Sequence, residues 1–313
     1  MNTTATAGDI RPLPFDPSKL RGLSTRLIES HYRNNYSRAA DRLMQIQKQL
    51  STIEWEKTAG FVINGLKREE LIAANSVVLH ELYFSSLGGD GVLKPSGTPA
   101  EVTVGLRRDF GSLDEWRSQF TALALGLAGG AGWALLSWSD RQHRLINQWA
   151  ADHSQLLAGA TPILALDMYE HSYHLDFGAD AKRYVAVFME NIDWDAVAVR
   201  HKAAVAASTA MLAMTTEATH NSAQLKRIDV RRDEAYDASS EIIEGAIWRD
   251  PVRVDEWAQE LRGGQVLVYC VHGNAVGRST AARLRRADVS AFFLEGGFEK
   301  WKAENRPLAR KPS

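Results

Sequence analysis

The residues of this sequence best equipped for chemistry are nine histidines, the carboxylate of Asp167 four residues ahead of His171, and a single cysteine, Cys270. Imidazoles combined with one carboxylate suit a transition ion of intermediate softness, such as Fe or Mn; the carboxylate offsets part of the ion's charge and lowers its reduction potential. His31 lies inside one run with helical periodicity and His80 inside another, so a helical hairpin would bring them together. Asp167 ends a strand-like run, and His171 follows it in DMYEH. Taken singly, a buried histidine is more often a satisfied core residue than a ligand, and spacing alone leaves both readings open. Cys270 ends an apolar run and precedes a loop with Gly273 that leads into a helix near Gly277. Backbone N–H groups of such a loop, with the helix dipole, stabilise a thiolate or a persulfide anion. The alternative is an inert cysteine at a strand end.

These residues need elements to hold them. Leu23–Leu50 and Glu69–Leu87 carry apolar residues at helical spacing, and the segment between them contains Gly60, Asn64 and Gly65, which predicts an antiparallel hairpin joined there. A Gly- and Pro-rich loop is expected over Gly88–Pro99, then a helix from the capping-box pattern at Ser112 to about Leu127. Gly132–Trp138, Arg144–Ala150 and Ile163–Met168 read as strands, the first two at hairpin spacing. Helices are expected around Tyr184–Glu190 and Trp194–His201. Lys202–Gln224 is rich in Ala, Ser, Thr and Met without strong periodicity and reads as a helical tail grading into a linker. From Leu225 strands alternate with short helices, which implies a parallel sheet covered on both faces.

Length and composition agree with two domains: 313 residues, 45% hydrophobic and 24% charged. The net charge of −1 supplies no overall field for nucleic acid or an anionic membrane, so neither is expected as a partner. The longest apolar stretch, Phe120–Trp138, is interrupted by four glycines and reads as a helix followed by a buried strand. One cysteine excludes an intramolecular disulfide, and the first twenty residues lack the basic and apolar regions of a signal peptide. A cytoplasmic location is expected.

Residues 12–200 resemble the iron/manganese superoxide dismutase family. The matching segments, in the family's order, are LPFDPSKL, the helix containing His31, NSVVLHELYF, GAGWALLSW, LDMYEHSYHLDF and NIDWDAVAVR. The resemblance implies an α+β fold, with a helical hairpin and further helices around a three-stranded antiparallel sheet. It also implies one Fe or Mn ion per subunit held by His31, His80, Asp167 and His171, and conversion of superoxide to O₂ and H₂O₂. Glu170 matches the family residue that reaches across a homodimer interface to the partner's metal-bound histidine, here His171. Several positions depart from the family pattern: Asn35 and Ala39 in the first helix, with Tyr36 off the metal-facing register, and Phe84, Tyr169, Ser76, Ala181 and His174 elsewhere. The glutamine that bonds the metal's solvent ligand is missing. Some family members use a histidine there, which makes His153 the candidate. These departures raise a second reading, a dismutase scaffold used for redox sensing or sulfur carrying with little dismutation.

Residues 225–305 resemble a rhodanese-like domain through LKRIDVRRDEAY, IIEGAIW, LVYCVHGNAVGRSTAARL and FLEGGFEKWKAENRP. That resemblance implies sulfur transfer at Cys270 between a sulfur donor and a thiol acceptor. The loop reads CVHGNAV, without an arginine before Arg278, which is also too distant for a C-x₅-R phosphatase loop. Asp229 and Arg231 match the family's D-V-R signature. The expected domains are 1–204, a linker over 205–223, and 224–313.

Overall fold

The computed structural model describes residues 10–94, 99–220, 222 and 225–311. Two units with separate sheets meet along a buried, charged seam. The expected fold class is present in both.

In the first unit, α1 (Thr25–His31) begins where the Ser24 side chain accepts from Leu27 N–H at 3.0 Å. A π-turn over Tyr32–Tyr36 joins it without a break to α2 (Ser37–Ser51), which packs antiparallel to α3 (Gly60–Phe84). The hairpin therefore forms as expected, but its connection lies earlier than the sequence implied. Gly60, Asn64 and Gly65 are inside α3. Glycine costs a helix about 1 kcal/mol relative to alanine, and here the exposed first turns are carried by a 25-residue helix whose later turns are buried.

Next come α4 (Pro99–Phe110) and α5 (Leu113–Leu125), then β1 (Trp133–Ser139), β2 (Arg144–Ala150) and β3 (Ala160–Asp167). The strands form an antiparallel sheet in the order β2-β1-β3, and its register places Trp133 directly opposite Asp167. Helices α6 (His174–Phe177), α7 (Ala181–Glu190) and α8 (Trp194–Thr209) follow. Gly89 fits only because it lacks a side chain: a Cβ there would lie 2.3 Å from the Ile192 carbonyl oxygen.

The second unit holds β4 (Ala213–Met214), α9 (Thr216–His220), β5 (Lys226–Asp229), α10 (Asp233–Asp237), β6 (Glu241–Ile243), β7 (Ala246–Trp248) and α11 (Val254–Trp257). It continues with β8 (Gln265–Tyr269), α12 (Ala275–Arg286), β9 (Ser290–Leu294), α13 (Gly297–Ala303) and β10 (Leu308–Arg310). A parallel sheet runs β4-β9-β8-β5-β7, while β10 pairs antiparallel with β6. Within 205–223, expected as linker, the described residues form defined elements. Helix α8 extends to Thr209, β4 pairs with Phe293 and Leu294 at the sheet edge, and Thr216 donates to Glu304 at 2.6 Å. A two-residue strand leaves no alternation for sequence periodicity to register.

At the seam, Val104 of α4 belongs to the apolar core of the second unit. Arg108 forms a bidentate pair with Asp109 (2.7 and 2.8 Å) and donates to Ser279 of α12 at 2.9 Å. Arg283, also of α12, reaches the same Asp109 carboxylate at 3.2 Å. Nearby, His201 of α8 is buried against Trp138, and neither of its ring nitrogens has a partner among the described residues. Burial, and then the Arg108 charge, push its pKa down to about 4 from an ordinary 6.5. The folded protein thus keeps His201 neutral where the unfolded chain protonates it, so stability is lost as pH falls from about 6.5 through 4. The loss attributable to His201 is on the order of 3 kcal/mol. Urea unfolding of wild type and His201→Leu between pH 7 and pH 4 should converge on a flatter profile for the variant. Equal slopes would show that the histidine does not carry the effect.

Candidate metal centre

Four elements converge on one point in the first unit. His31 closes α1, His80 lies near the end of α3, Asp167 ends β3, and His171 sits in the short 3₁₀ turn Glu170–Ser172. One donor atom from each lies within 4.8 Å of the other three. The Asp167 Oδ2 atom is 3.1 Å from His31 Nε2, 3.2 Å from His171 Nε2 and 3.7 Å from His80 Nε2. His31, His80 and Asp167 are buried, and His171 keeps 28% of its side chain exposed, so the cluster is reached from one side.

Each donor is aimed by a neighbour. His80 Nδ1 lies 2.7 Å from the Ser76 carbonyl oxygen, a hydrogen bond that puts the proton on Nδ1 and leaves the Nε2 lone pair facing the cluster. Nε2 is buried and has no partner among the described residues, as an intended metal ligand would be before binding. Asp167 Oδ1 accepts from Tyr169 N–H at 2.9 Å. The Asp167 carbonyl accepts from Tyr184 Oη and Ser172 Oγ, both at 2.8 Å. Tyr184 is a holding residue that the sequence placed only on a helix.

The electrostatics favour a cation. Burial works to raise the Asp167 carboxyl, but His171 and His31 outweigh it and hold the group well below the ordinary carboxylate range. Burial, then His31, push His80 down to about 3, and burial also lowers His31, so burial favours the neutral form of both imidazoles. Three imidazoles and one carboxylate are a donor set that fits Fe or Mn.

Around the cluster stand Tyr36, Tyr83, Phe84, Trp133 and Tyr169, with ring centroids 5.0–6.4 Å from a cluster histidine. Tyr36 reaches His80 through the π-turn, which advances the helix register by one residue, a device frequent at functional sites. Its hydroxyl turns elsewhere, donating to Glu81 at 3.0 Å and accepting from Arg11 N–H at 2.8 Å. His153 stacks 6.1 Å from His80, with Nδ1 2.9 Å from the Tyr169 hydroxyl and a buried Nε2 that has no partner among the described residues. Asn35 and Ala39, also departures from the family pattern, are partly buried, and His174 is exposed.

The Cys270 region is built separately. The thiol is buried beside Gly277, where a Cβ would come within 3.2 Å of the sulfur. Burial and then Glu101 push the thiol up, against hydrogen bonds from the backbone N–H groups of Gly277, Asn274 and His272. Arg278 braces the loop by donating to the Gly273 carbonyl at 2.9 Å. Asp229 and Arg231 form a buried ion pair, with the guanidinium 4.1 Å over the Phe298 ring.

Comparison with known proteins agrees with both halves. Residues 98–200 match the family described as iron/manganese superoxide dismutases, C-terminal domain, and residues 214–304 match the rhodanese-like domain. The chain is 52% identical over 197 residues to an iron superoxide dismutase of Cupriavidus metallidurans, covering 63% of this chain and 98% of that protein. It is 32% identical over 206 residues to a manganese superoxide dismutase of Haloferax volcanii, covering 63% and 96%. An iron superoxide dismutase of Aquifex aeolicus is 31% identical over 202 residues, covering 62% and 92%. Matches that span nearly the full length of the relatives, with a separate module matched over 214–304, establish that the chain belongs to the iron/manganese superoxide dismutase family and carries a rhodanese-like domain behind it.

Proposed function

We propose that this protein is a superoxide dismutase that holds one Fe or Mn ion through His31, His80, Asp167 and His171, with a sulfurtransferase module appended. The observation that carries the first part is the convergence of those four donor atoms within 4.8 Å. The bound ion would supply the one-electron exchange by which two superoxide anions and two protons become O₂ and H₂O₂. The chain's own residues supply position and protons. Tyr169, pushed up to about 12 chiefly by burial, stays protonated and donates to His153 Nδ1. That assignment leaves the proton of His153 on its buried Nε2, 6.1 Å ring to ring from His80, where it would be a proton donor beside the metal site. The aromatic wall excludes other water and leaves the partly exposed His171 side as the approach.

The exposed carboxylate of Glu170 beside His171 supports a homodimer in which each Glu170 bonds the partner subunit's His171. We place the functional units at 1–204 and 224–313, with 205–223 carrying the connection. Among the described residues no helix is long and apolar enough to cross a membrane. A cytoplasmic location is our reading, from the single cysteine of the sequence. In the second unit Cys270 is the sulfur carrier, passing a persulfide sulfur from donor to thiol acceptor. Elemental analysis of the native protein beside a dismutase assay tests the primary function. Near-stoichiometric Fe or Mn with dismutation well above free-metal background is expected. Full occupancy with no activity would favour the sensing role instead.

A further inference from the structure

The pocket that opens on Cys270, about 350 Å³, is not made by the rhodanese-like unit alone. Its lining includes Arg231, Arg232, Cys270, His272 and Asn274 from that unit, and Glu101 from α4 of the dismutase unit. The loop after Cys270 offers its backbone N–H groups to the sulfur and then enters α12, whose N-terminus is where an anionic sulfur donor would be drawn. That end is already engaged: Ala275 N–H, at the first position of α12, donates to Glu101 Oε2 at 3.3 Å, and the Asn274 side chain hydrogen-bonds the same carboxyl. Arg231, which also lines the pocket, is tied to Asp229 at 2.6 Å, and the Arg232 charge acts on Glu101. Burial outweighs these two hydrogen bonds, Lys202 and Arg232, which favour the charged form, and holds the Glu101 carboxyl above its ordinary value.

We infer that Glu101 is a specificity-determining residue of the Cys270 site: the dismutase unit places a carboxylate on the anion position, so the site takes a sulfane-sulfur donor of zero or positive net charge and discriminates against thiosulfate. The inference rests on the reading of Cys270 as the sulfur carrier. With a hydropersulfide donor, the Cys270 thiolate attacks the outer sulfur of R–S–SH. The donor's S–S bond breaks, RS⁻ leaves to take up a proton from solvent, and Cys270–S–SH remains. With thiosulfate the same attack would expel sulfite dianion, and a dianion must first approach Glu101. Excluding a like charge from a pocket that both groups line is worth about tenfold or more in rate.

Two measurements separate the inference from its foundation. The first compares alkylation of Cys270 by neutral iodoacetamide and anionic iodoacetate, in wild type and in Glu101→Gln, which keeps an acceptor for Ala275 N–H. The iodoacetate-to-iodoacetamide rate ratio should rise about tenfold in the variant; an unchanged ratio, with an unchanged melting temperature, overturns the inference. Glu101→Ala should shift the ratio the same way and guards against a misfolded Gln variant. The second follows persulfide formation on Cys270 by mass spectrometry, with cysteamine hydropersulfide or thiosulfate as donor. Wild type should load from the first and scarcely from the second, and Glu101→Gln should gain thiosulfate loading by about tenfold. Equal donor preference in both proteins overturns the inference alone. Failure of every donor in both proteins overturns the sulfur-carrier reading and the inference with it.

Discussion

His80→Ala is expected to lose its metal and its dismutase activity together. His80 is 2% exposed and its Nδ1 is fixed on the Ser76 carbonyl, so its Nε2 is held in place as a donor to the cluster. The substitution leaves two imidazoles and Asp167, and opens a cavity between Tyr36, Phe84 and Trp133, whose rings all pack on His80. Losing only a supporting hydrogen-bond partner typically lowers metal affinity by about 10- to 100-fold, and losing a donor atom should cost more than that. The measurement is metal content of the purified variant alongside its dismutase rate, with metal-stripped wild type as the folding control. A variant that retains stoichiometric metal and undiminished turnover would remove His80 from the donor set.

How much of this was legible in the sequence depends on how far apart the interacting residues are. Asp167 and His171 are four residues apart and straddle the end of a strand, so local pattern nearly assigns them. His31 and His80 needed the pairing of two helices, which amphipathic periodicity supplies. The π-turn at Tyr32–Tyr36 left no such trace. A one-residue advance of register changes which side chain faces His80 without changing composition, so the sequence puts Tyr36 off the register while its ring packs 6.4 Å from His80. The connection of the hairpin was misplaced because Gly60 and Gly65 carry a strong local signal that burial further along α3 overrides. The Tyr169–His153 contact spans 16 residues and joins two departures from the family pattern into one unit. Glu101 and Ala275 stand 174 residues apart, on opposite sides of a domain boundary, and no motif of either family would pair them.

The same seam bears the largest stability effect we expect outside the metal centre. Asp109 is the sole carboxylate bonded to Arg108 among the described residues, and it also receives Arg283 at 3.2 Å and Leu145 N–H at 2.7 Å. The side chains of Arg108, Asp109 and Arg283 are 1%, 0% and 9% exposed. Asp109→Ala would leave the Arg108 guanidinium buried with only Ser279 Oγ for company, and Arg283 with its remaining partner Asp255 at the rim. Breaking a buried pair by removing one partner costs about 3–5 kcal/mol, because the surviving charge stays out of water without compensation. For units of this size that corresponds to a fall of roughly 10 °C in melting temperature. Because the network ties α4 and β2 to α12, calorimetry of the variant should also resolve two transitions where wild type gives a more merged one. A loss below about 1 kcal/mol would mean the charges are reached by water and behave as a surface cluster. Replacing Arg108, Asp109 and Arg283 together with apolar residues of similar volume should recover most of the stability. That recovery would separate a seam held by ionic attraction from one held by packing, with the charges fixing the alignment that brings Glu101 onto the N-terminus of α12.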